Sequence, residues 1–236
     1  MNNPFKIAKI TFFQDLLSFI YARIPFALQH NLGKYSVIRK AMYFTGIEGI
    51  EGDYYEFGVF TGSSFCHAIR SYSTLGFFNK RKKPMQFFGF DSFDGFGDSI
   101  KDDHPFFVDD HFSTDFIKVQ KRVSRLAKKK NVDAKIIQGF FNESLCLPEN
   151  QCSNLASIIF IDCDLENPSK EALNYCTSKI QDGTVLIVDD FFSYKGLKTK
   201  GPVAAVNSWL EVNNFSTRIF CHYGIGGVAL IISRNK

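Results

Sequence analysis

The chain has 236 residues, with 28 Lys and Arg against 24 Asp and Glu, for a net charge of +4. Its 45% apolar and 22% charged content excludes a disordered chain, and its length suits a single α/β-sized unit with a sizeable core. So mild a charge, with no dominant basic stripe, predicts no nucleic-acid partner.

Aromatic residues reach 16%, with 27 Phe, 9 Tyr and 1 Trp. They predict a Phe-packed core, with aromatic surface left for a ligand, a membrane or a partner. The six cysteines, at 66, 146, 152, 163, 176 and 221, include no C-x-x-C pair. That counts against zinc-ribbon and thioredoxin chemistry and fits a reduced, cytoplasmic protein.

The first 50 residues have their own pattern. Ile7, Ile10, Phe13, Leu17, Ile20 and Ile24 recur at three- and four-residue spacing, as on an amphipathic helix that Pro25 ends or kinks. Phe12, Leu16 and Phe19 broaden the apolar face. The stretch 10–21 carries Gln14 and Asp15 and is shorter than the roughly 20 residues a membrane span needs. Two uses remain open. The helix packs on the domain or on a second subunit of a homo-oligomer, or it lies on a membrane surface with Lys6, Lys9 and Arg23 near the headgroups. Residues 1–50 are therefore expected to form a helical lid, dimer or interface segment, and residues 51–236 the main domain.

From Gly52 onward strands are expected at 53–57, 86–90, 134–138, 157–161 and 184–188. Helices are expected at 66–75, 115–130, 168–180 and 202–212, and a closing antiparallel pair at 216–221 and 227–232. This alternation predicts an α/β, Rossmann-like, seven-stranded and mostly parallel sheet with helices on both faces. Right-handed crossovers bring the carboxyl ends of the parallel strands to one edge, where ligands bind in such folds. Glu56, Asp91, Asp162 and Asp189 end four of these strands. Four carboxylates on one edge are costly unless hydroxyls, backbone N–H groups or a cation meet them.

Three motifs carry candidate chemistry. In Glu56-Phe57-Gly58-Val59-Phe60-Thr61-Gly62-Ser63-Ser64, Gly58 permits a tight turn and Gly62 permits a ligand to approach a helix start. No Lys follows the second glycine, so a phosphate-cradling loop is disfavoured. A carboxylate just before the first glycine suits the amino group of an amino-acid-like cofactor. Asp91, in Phe90-Asp91-Ser92-Phe93-Asp94-Gly95, stands where such sheets hold a ribose diol; the alternative is a turn-capping Asp. Asp162 and Asp189 are separated by one strand–helix–strand crossover. With Asp190 they form an oxygen-only set suited to Mg²⁺ or Mn²⁺, unless the acids simply cap helices and face water.

Other features are weaker. The echo of Asp102-Asp103-His104 in Asp109-Asp110-His111 reads as a solvated acidic loop or as a metal-binding lid. His104, His111 and His222 are candidate general bases. The basic runs at 80–83 and 128–130 read as solvated loop and helix ends.

Taken together, the motifs Glu56–Ser63, Phe90–Gly95, Gly139-Phe140-Phe141-Asn142-Glu143-Ser144-Leu145, Ile161-Asp162-Cys163-Asp164-Leu165 and Asp189-Asp190-Phe191 resemble the macrocin O-methyltransferase (TylF-like) family. The resemblance runs in order from about residue 52 to about residue 212. It implies a class I, S-adenosylmethionine-dependent and Mg²⁺- or Mn²⁺-dependent O-methyltransferase acting on a hydroxyl of a sugar or glycosylated small molecule. Glu56, Phe57, Gly58, Gly62 and Ser63 would then line the methionine end of the cofactor. Asp91 would hold its ribose, with Ser92 and Phe93 near the adenosine and Gly139 on the adenine side. Asp162, Asp189 and Asp190 match the metal positions, and Asp162 also borders the cofactor and helps remove the acceptor proton. Phe60, Phe93, Phe191 and Phe192 would wall the site.

The chain departs from the family pattern at Glu166, where Tyr is usual, and at Phe191-Phe192, where Tyr-Gly is usual. Two other readings compete. A metal-dependent hydrolase needs neither Glu56 nor Asp91, and a non-catalytic cofactor- or membrane-binding member needs no intact acid set.

Overall fold

The structure is a computed structural model and describes residues 10–97, 104–107 and 112–235. Ile7, Lys6, Lys9, Asp102, Asp103, Asp109, Asp110 and His111, named above, lie outside the described residues.

Seven strands form one sheet: β1 (Asp53–Phe57), β2 (Phe87–Asp91), β3 (Ala134–Gln138), β4 (Ala156–Ile161), β5 (Val185–Val188), β6 (Phe215–Tyr223) and β7 (Gly227–Arg234). Their order is β3-β2-β1-β4-β5-β7-β6. The first five run parallel, and β7 pairs antiparallel with both β5 and β6. The expected sheet is the observed one. Every residue of β1, β4 and β5 is buried, as required of parallel strands covered on both faces.

One layer contains α2 (Phe26–Ile47), α3 (Ser63–Tyr72) and α4 (Phe116–Lys130). Its core joins Ile38, Met42, Phe65, Phe87, Val123 and Ile158. The opposite layer contains α5 (Phe141–Ser144), α6 (Glu166–Cys176) and α7 (Gly201–Val212). It packs Phe57, Phe90, Leu173 and Trp209 into a second core. Strand order reverses between β1 and β4, so the ligand crevice of such a sheet opens beyond their carboxyl ends.

Several boundaries differ from expectation. Helix α3 begins at Ser63, three residues before the expected start at 66, because Gly62 at φ 75 serves as its N-cap. Asp91 is the last residue of β2 rather than the residue after it. Helix α6 ends at Cys176 and passes into a 3₁₀ turn at Thr177–Lys179. Strand β6 extends to Tyr223 and so includes His222.

The larger difference lies at the N-terminus. The single expected helix is a short α1 (Thr11–Tyr21), followed after Pro25 by the 22-residue α2. No residue of α1 is buried; Phe12, Phe13, Leu17, Phe19, Ile20 and Tyr21 are all exposed. Helix α2, by contrast, buries Val37, Ile38, Ala41 and Met42, and such side chains contribute about 1.5–3 kcal/mol each for the larger ones.

Its far end is anchored by Arg81. That guanidinium donates to the Thr45 hydroxyl, to Ser157 Oγ at 3.1 Å and to the Ile50 carbonyl at 2.9 Å. Among the described residues, no helix is long and apolar enough to cross a membrane.

Candidate active site

The carboxyl edge is aligned by backbone hydrogen bonds that continue the ladder past the strand ends. The Gly58 N–H donates to the Phe90 carbonyl at 2.9 Å, and the Gly139 N–H to the Asp91 carbonyl at 2.9 Å. The Asp162 N–H donates to Phe57 at 2.8 Å, and the Asp189 N–H to Ile161 at 2.9 Å. Asp91, Asp162 and Asp189 therefore stand level with Gly58 along the crevice, and Glu56 lies two residues below them on β1.

Gly58, at φ 92, leaves no room for a side chain, because a Cβ there would lie 1.9 Å from the Asp162 carbonyl oxygen. Only glycine lets β1 turn away this close to β4. The Asp91 carboxylate accepts the Phe60 amide on Oδ2 and the Phe93 amide on Oδ1, both at 2.7 Å. Burial raises its pKa, while these amides and that of Val59 oppose the rise. Each oxygen retains a further lone pair for a ligand hydroxyl.

Glu56 sits deeper. Its carboxylate has no exposure and accepts hydrogen bonds from the Tyr54 hydroxyl and, at 2.6 Å, from Ser64 Oγ. Burial pushes its pKa up to about 7 despite those two donors. Glu56 thus clamps the β1–α3 turn from below and does not reach the cavity surface. Phe57 lies in the core, stacked on Phe90 at 4.8 Å. Ser63 hydrogen-bonds Tyr35, and Phe93 is buried against Phe116 at 5.2 Å.

At the other end, Asp162, Asp164 and Asp190 bring ligand oxygens within 4.8 Å of one another. This differs from the expected set of Asp162, Asp189 and Asp190. Asp164, at φ 59, faces Asp190, while Asp189 is engaged by two side chains of α2, His30 and Lys34. His30 Nε2 lies 3.0 Å and Lys34 Nζ 2.7 Å from Asp189 Oδ2, and Lys34 Nζ is also 2.8 Å from Asp162 Oδ2.

Burial would raise the Asp189 carboxyl, but Lys34 and His30 hold it below the usual carboxylate range. Asp162 is raised, first by burial and then by the neighbouring Asp189 charge, against Lys34. Burial and facing carboxylates also raise Asp164 and Asp190. Asp189 Oδ1 and the Tyr223 hydroxyl are buried, and the Tyr223 hydroxyl faces Asp189 and its neighbouring carboxylates.

One cavity of about 1300 Å³ connects the two ends. Gly58, Asp91 and Ser92 line it together with Asp162, Asp189 and Asp190 and with the unexpected Asp164, His30 and Lys34. Phe60 and Phe192 wall it as expected, whereas Phe93 and Phe191 pack into the two cores. Of the candidate bases, His104 lines the cavity and stacks on Phe107 at 4.2 Å; His222 sits against Phe192 at 5.8 Å.

His30 and Lys34 were legible only as polar residues four apart, one turn ahead of the buried stripe of Val37, Ile38, Ala41 and Met42.

A family model, macrocin-O-methyltransferase (TylF), matches residues 34–219. The chain belongs to this family. It is an S-adenosylmethionine-dependent O-methyltransferase, which decides between methyl transfer and hydrolysis at the carboxylate edge. No curated protein matches it in sequence.

Among solved structures it is similar to the O-methyltransferase NovP, with TM-score 0.66 and 18% identity over 86% of this chain and 80% of that one. The calicheamicin methyltransferase CalS11 gives 0.65 and 18%, over 98% and 87%. An O-methyltransferase from Bacillus cereus in complex with S-adenosylhomocysteine gives 0.52 and 14%, over 84% and 79%. At these identities the likeness concerns the fold.

Proposed function

We propose that this enzyme methylates a sugar hydroxyl, on a nucleotide-sugar or a glycosylated small molecule, with a Mg²⁺ or Mn²⁺ ion held by its aspartate cluster. The observation that carries this reading is the single cavity running from Gly58 and Asp91 to Asp162, Asp164 and Asp190. A methyl donor at one end would face an acceptor at the other. CalS11, described as a TDP-rhamnose 3′-O-methyltransferase, supports the acceptor class.

In this reading Asp91 accepts both ribose hydroxyls on its free lone pairs, beside Ser92. Gly58 lets the methionine end approach the backbone, and Gly62 and Ser63 open α3 beneath it. Glu56 and Phe57 position the turn, and Gly139 fixes the adenine side through its bond to Asp91. Phe60, Phe112 and Phe140 line the space between and keep water out.

The oxygen-only cluster fits a hard divalent ion, and the buried Asp189 Oδ1 and Tyr223 hydroxyl add polar atoms beside it. Such an ion supplies charge that lowers the pKa of an acceptor hydroxyl. The acceptor oxygen forms a bond to the methyl carbon as the carbon–sulfur bond breaks, leaving a neutral thioether. The hydroxyl proton would pass to Asp162, the carboxylate that stands at the end of β4 beside the acceptor.

Residues 1–50 serve as a lid and contact segment, with His30 and Lys34 roofing the cavity. The exposed α1 face suits a second subunit or a membrane surface in the cytoplasm.

The test is calorimetric titration of the full chain with S-adenosylhomocysteine, with and without Mg²⁺, followed by methylation assays on nucleotide-sugars. Micromolar binding and Mg²⁺-stimulated transfer to a sugar hydroxyl are expected. Absence of cofactor binding in both conditions would sink the reading.

A further inference from the structure

We propose that Lys34 is a built-in counter-cation of the aspartate cluster and competes with the divalent ion, so that ion binding drives its ammonium off Asp162 and Asp189. The inference rests on the metal-assisted reading above.

The geometry is that of a cation site already filled by a side chain. Lys34 Nζ lies between Asp162 Oδ2 at 2.8 Å and Asp189 Oδ2 at 2.7 Å, and all three side chains are largely shielded from solvent. Asp162 belongs at once to this pair and to the group it forms with Asp164 and Asp190. A divalent ion on that group would therefore share a ligand with the ammonium and repel it at close range in a poorly solvated site.

Lys34 has somewhere to go, because it lines the large cavity and its stem is long and flexible. Asp189 gains by the exchange. Release of Lys34 frees part of its Oδ2, while His30 Nε2 at 3.0 Å still holds the carboxylate in place. The exchange would thus convert the observed Asp162–Asp164–Asp190 grouping into one that includes Asp189, the set the sequence pattern suggests. The Tyr223 hydroxyl, buried and facing these carboxylates, is a ready donor to whichever oxygen turns away from the lysine.

Two measurements on the full chain test this. Free Mn²⁺ is followed by electron paramagnetic resonance during titration of wild type and Lys34→Met, a swap of similar length without charge. Tighter Mn²⁺ binding in the variant, by about tenfold or more, is expected from removing an adjacent like charge. Equal or weaker binding, or no binding in either protein, overturns the proposal.

The second measurement needs no variant, so it stands even if Lys34→Met fails to fold. Pulsed amine labelling of wild type, read by mass spectrometry, should rise severalfold at Lys34 on adding Mg²⁺ and stay constant at the exposed Lys129. Unchanged or reduced labelling at Lys34 overturns the exchange. S-adenosylhomocysteine titration of the same samples separates the two readings: binding that persists leaves the methyltransferase assignment standing whatever Lys34 does.

Discussion

Gly58 and Asp162 approach so closely that a Cβ on the first would sit 1.9 Å from the carbonyl oxygen of the second. This contact joins the cofactor turn to the aspartate cluster, since the residues flanking it are Glu56 on β1 and Asp164 beyond β4. Gly58→Ala must either separate the two strand ends or distort the turn at φ 92. The expected loss is about 3 kcal/mol or more of stability, measured by urea unfolding, together with loss of S-adenosylhomocysteine binding. Gly76→Ala is the control. Its Cβ meets nothing within 4 Å at φ 50, so the cost should stay at about 1–2 kcal/mol.

Asp91→Asn keeps one acceptor oxygen but removes the charge and one of the two atoms that receive the Phe60 and Phe93 amides. S-adenosylhomocysteine affinity should fall by roughly 10- to 100-fold, equivalent to about 1.4–2.7 kcal/mol. Calorimetry measures it directly. An unchanged affinity would remove Asp91 from the ribose site.

Glu56 gives a pH signature. Its folded pKa is raised from 4.5 to about 7 by burial, so the fold prefers the protonated acid. Stability from this group is therefore fully present below pH 4.5 and is lost as pH rises through about 7. Glu56→Gln removes that ionisation. Relative to wild type, the variant should gain stability between pH 5 and pH 8 by up to about 3 kcal/mol. Other buried acids titrate in both proteins, so the difference between the two unfolding curves isolates Glu56. A pH-independent difference would contradict the assignment.

Asp189→Asn should abolish methyl transfer, by at least about 10²-fold, while S-adenosylhomocysteine affinity stays within a few-fold. The carboxylate meets Lys34 and His30 at the acceptor end. Parallel loss of both quantities would mark Asp189 as a structural or cofactor-binding residue.

The sheet was legible because parallel strands buried on both faces read as short apolar runs, and because an acid ends β2 and follows β4 and β5. Asp91 and Asp162 therefore appeared in the right place from sequence spacing alone. What spacing does not encode is which way a side chain turns once it arrives. Glu56 faces inward because Tyr54 and Ser64 offer it hydroxyls there. Asp164, with a left-handed backbone at φ 59, groups with Asp162 and Asp190, which its spacing alone does not reveal.

Helix α2 escaped notice for a different reason. Part of it is buried and part exposed, so its apolar residues do not form one clean stripe. Val37 and Ile38 are buried while Leu28 and Leu32 face outward. His30 and Lys34 look like ordinary surface polar residues until the crossing of α2 over the sheet brings them to the ends of β4 and β5.

The pairings of Lys34 with Asp162 and of His30 with Asp189 also bear on how the enzyme is made. They span 128 and 159 residues of chain. During synthesis His30 and Lys34 of α2 leave the ribosome long before their carboxylate partners exist, and loop closure over such distances comes late in folding. A nascent or truncated chain ending before β5 therefore carries a nearly complete cofactor turn but no assembled acceptor end. Catalytic competence is expected to arrive with the last fifth or so of the polypeptide, from β5 onward, so partially synthesised molecules should be silent rather than weakly active.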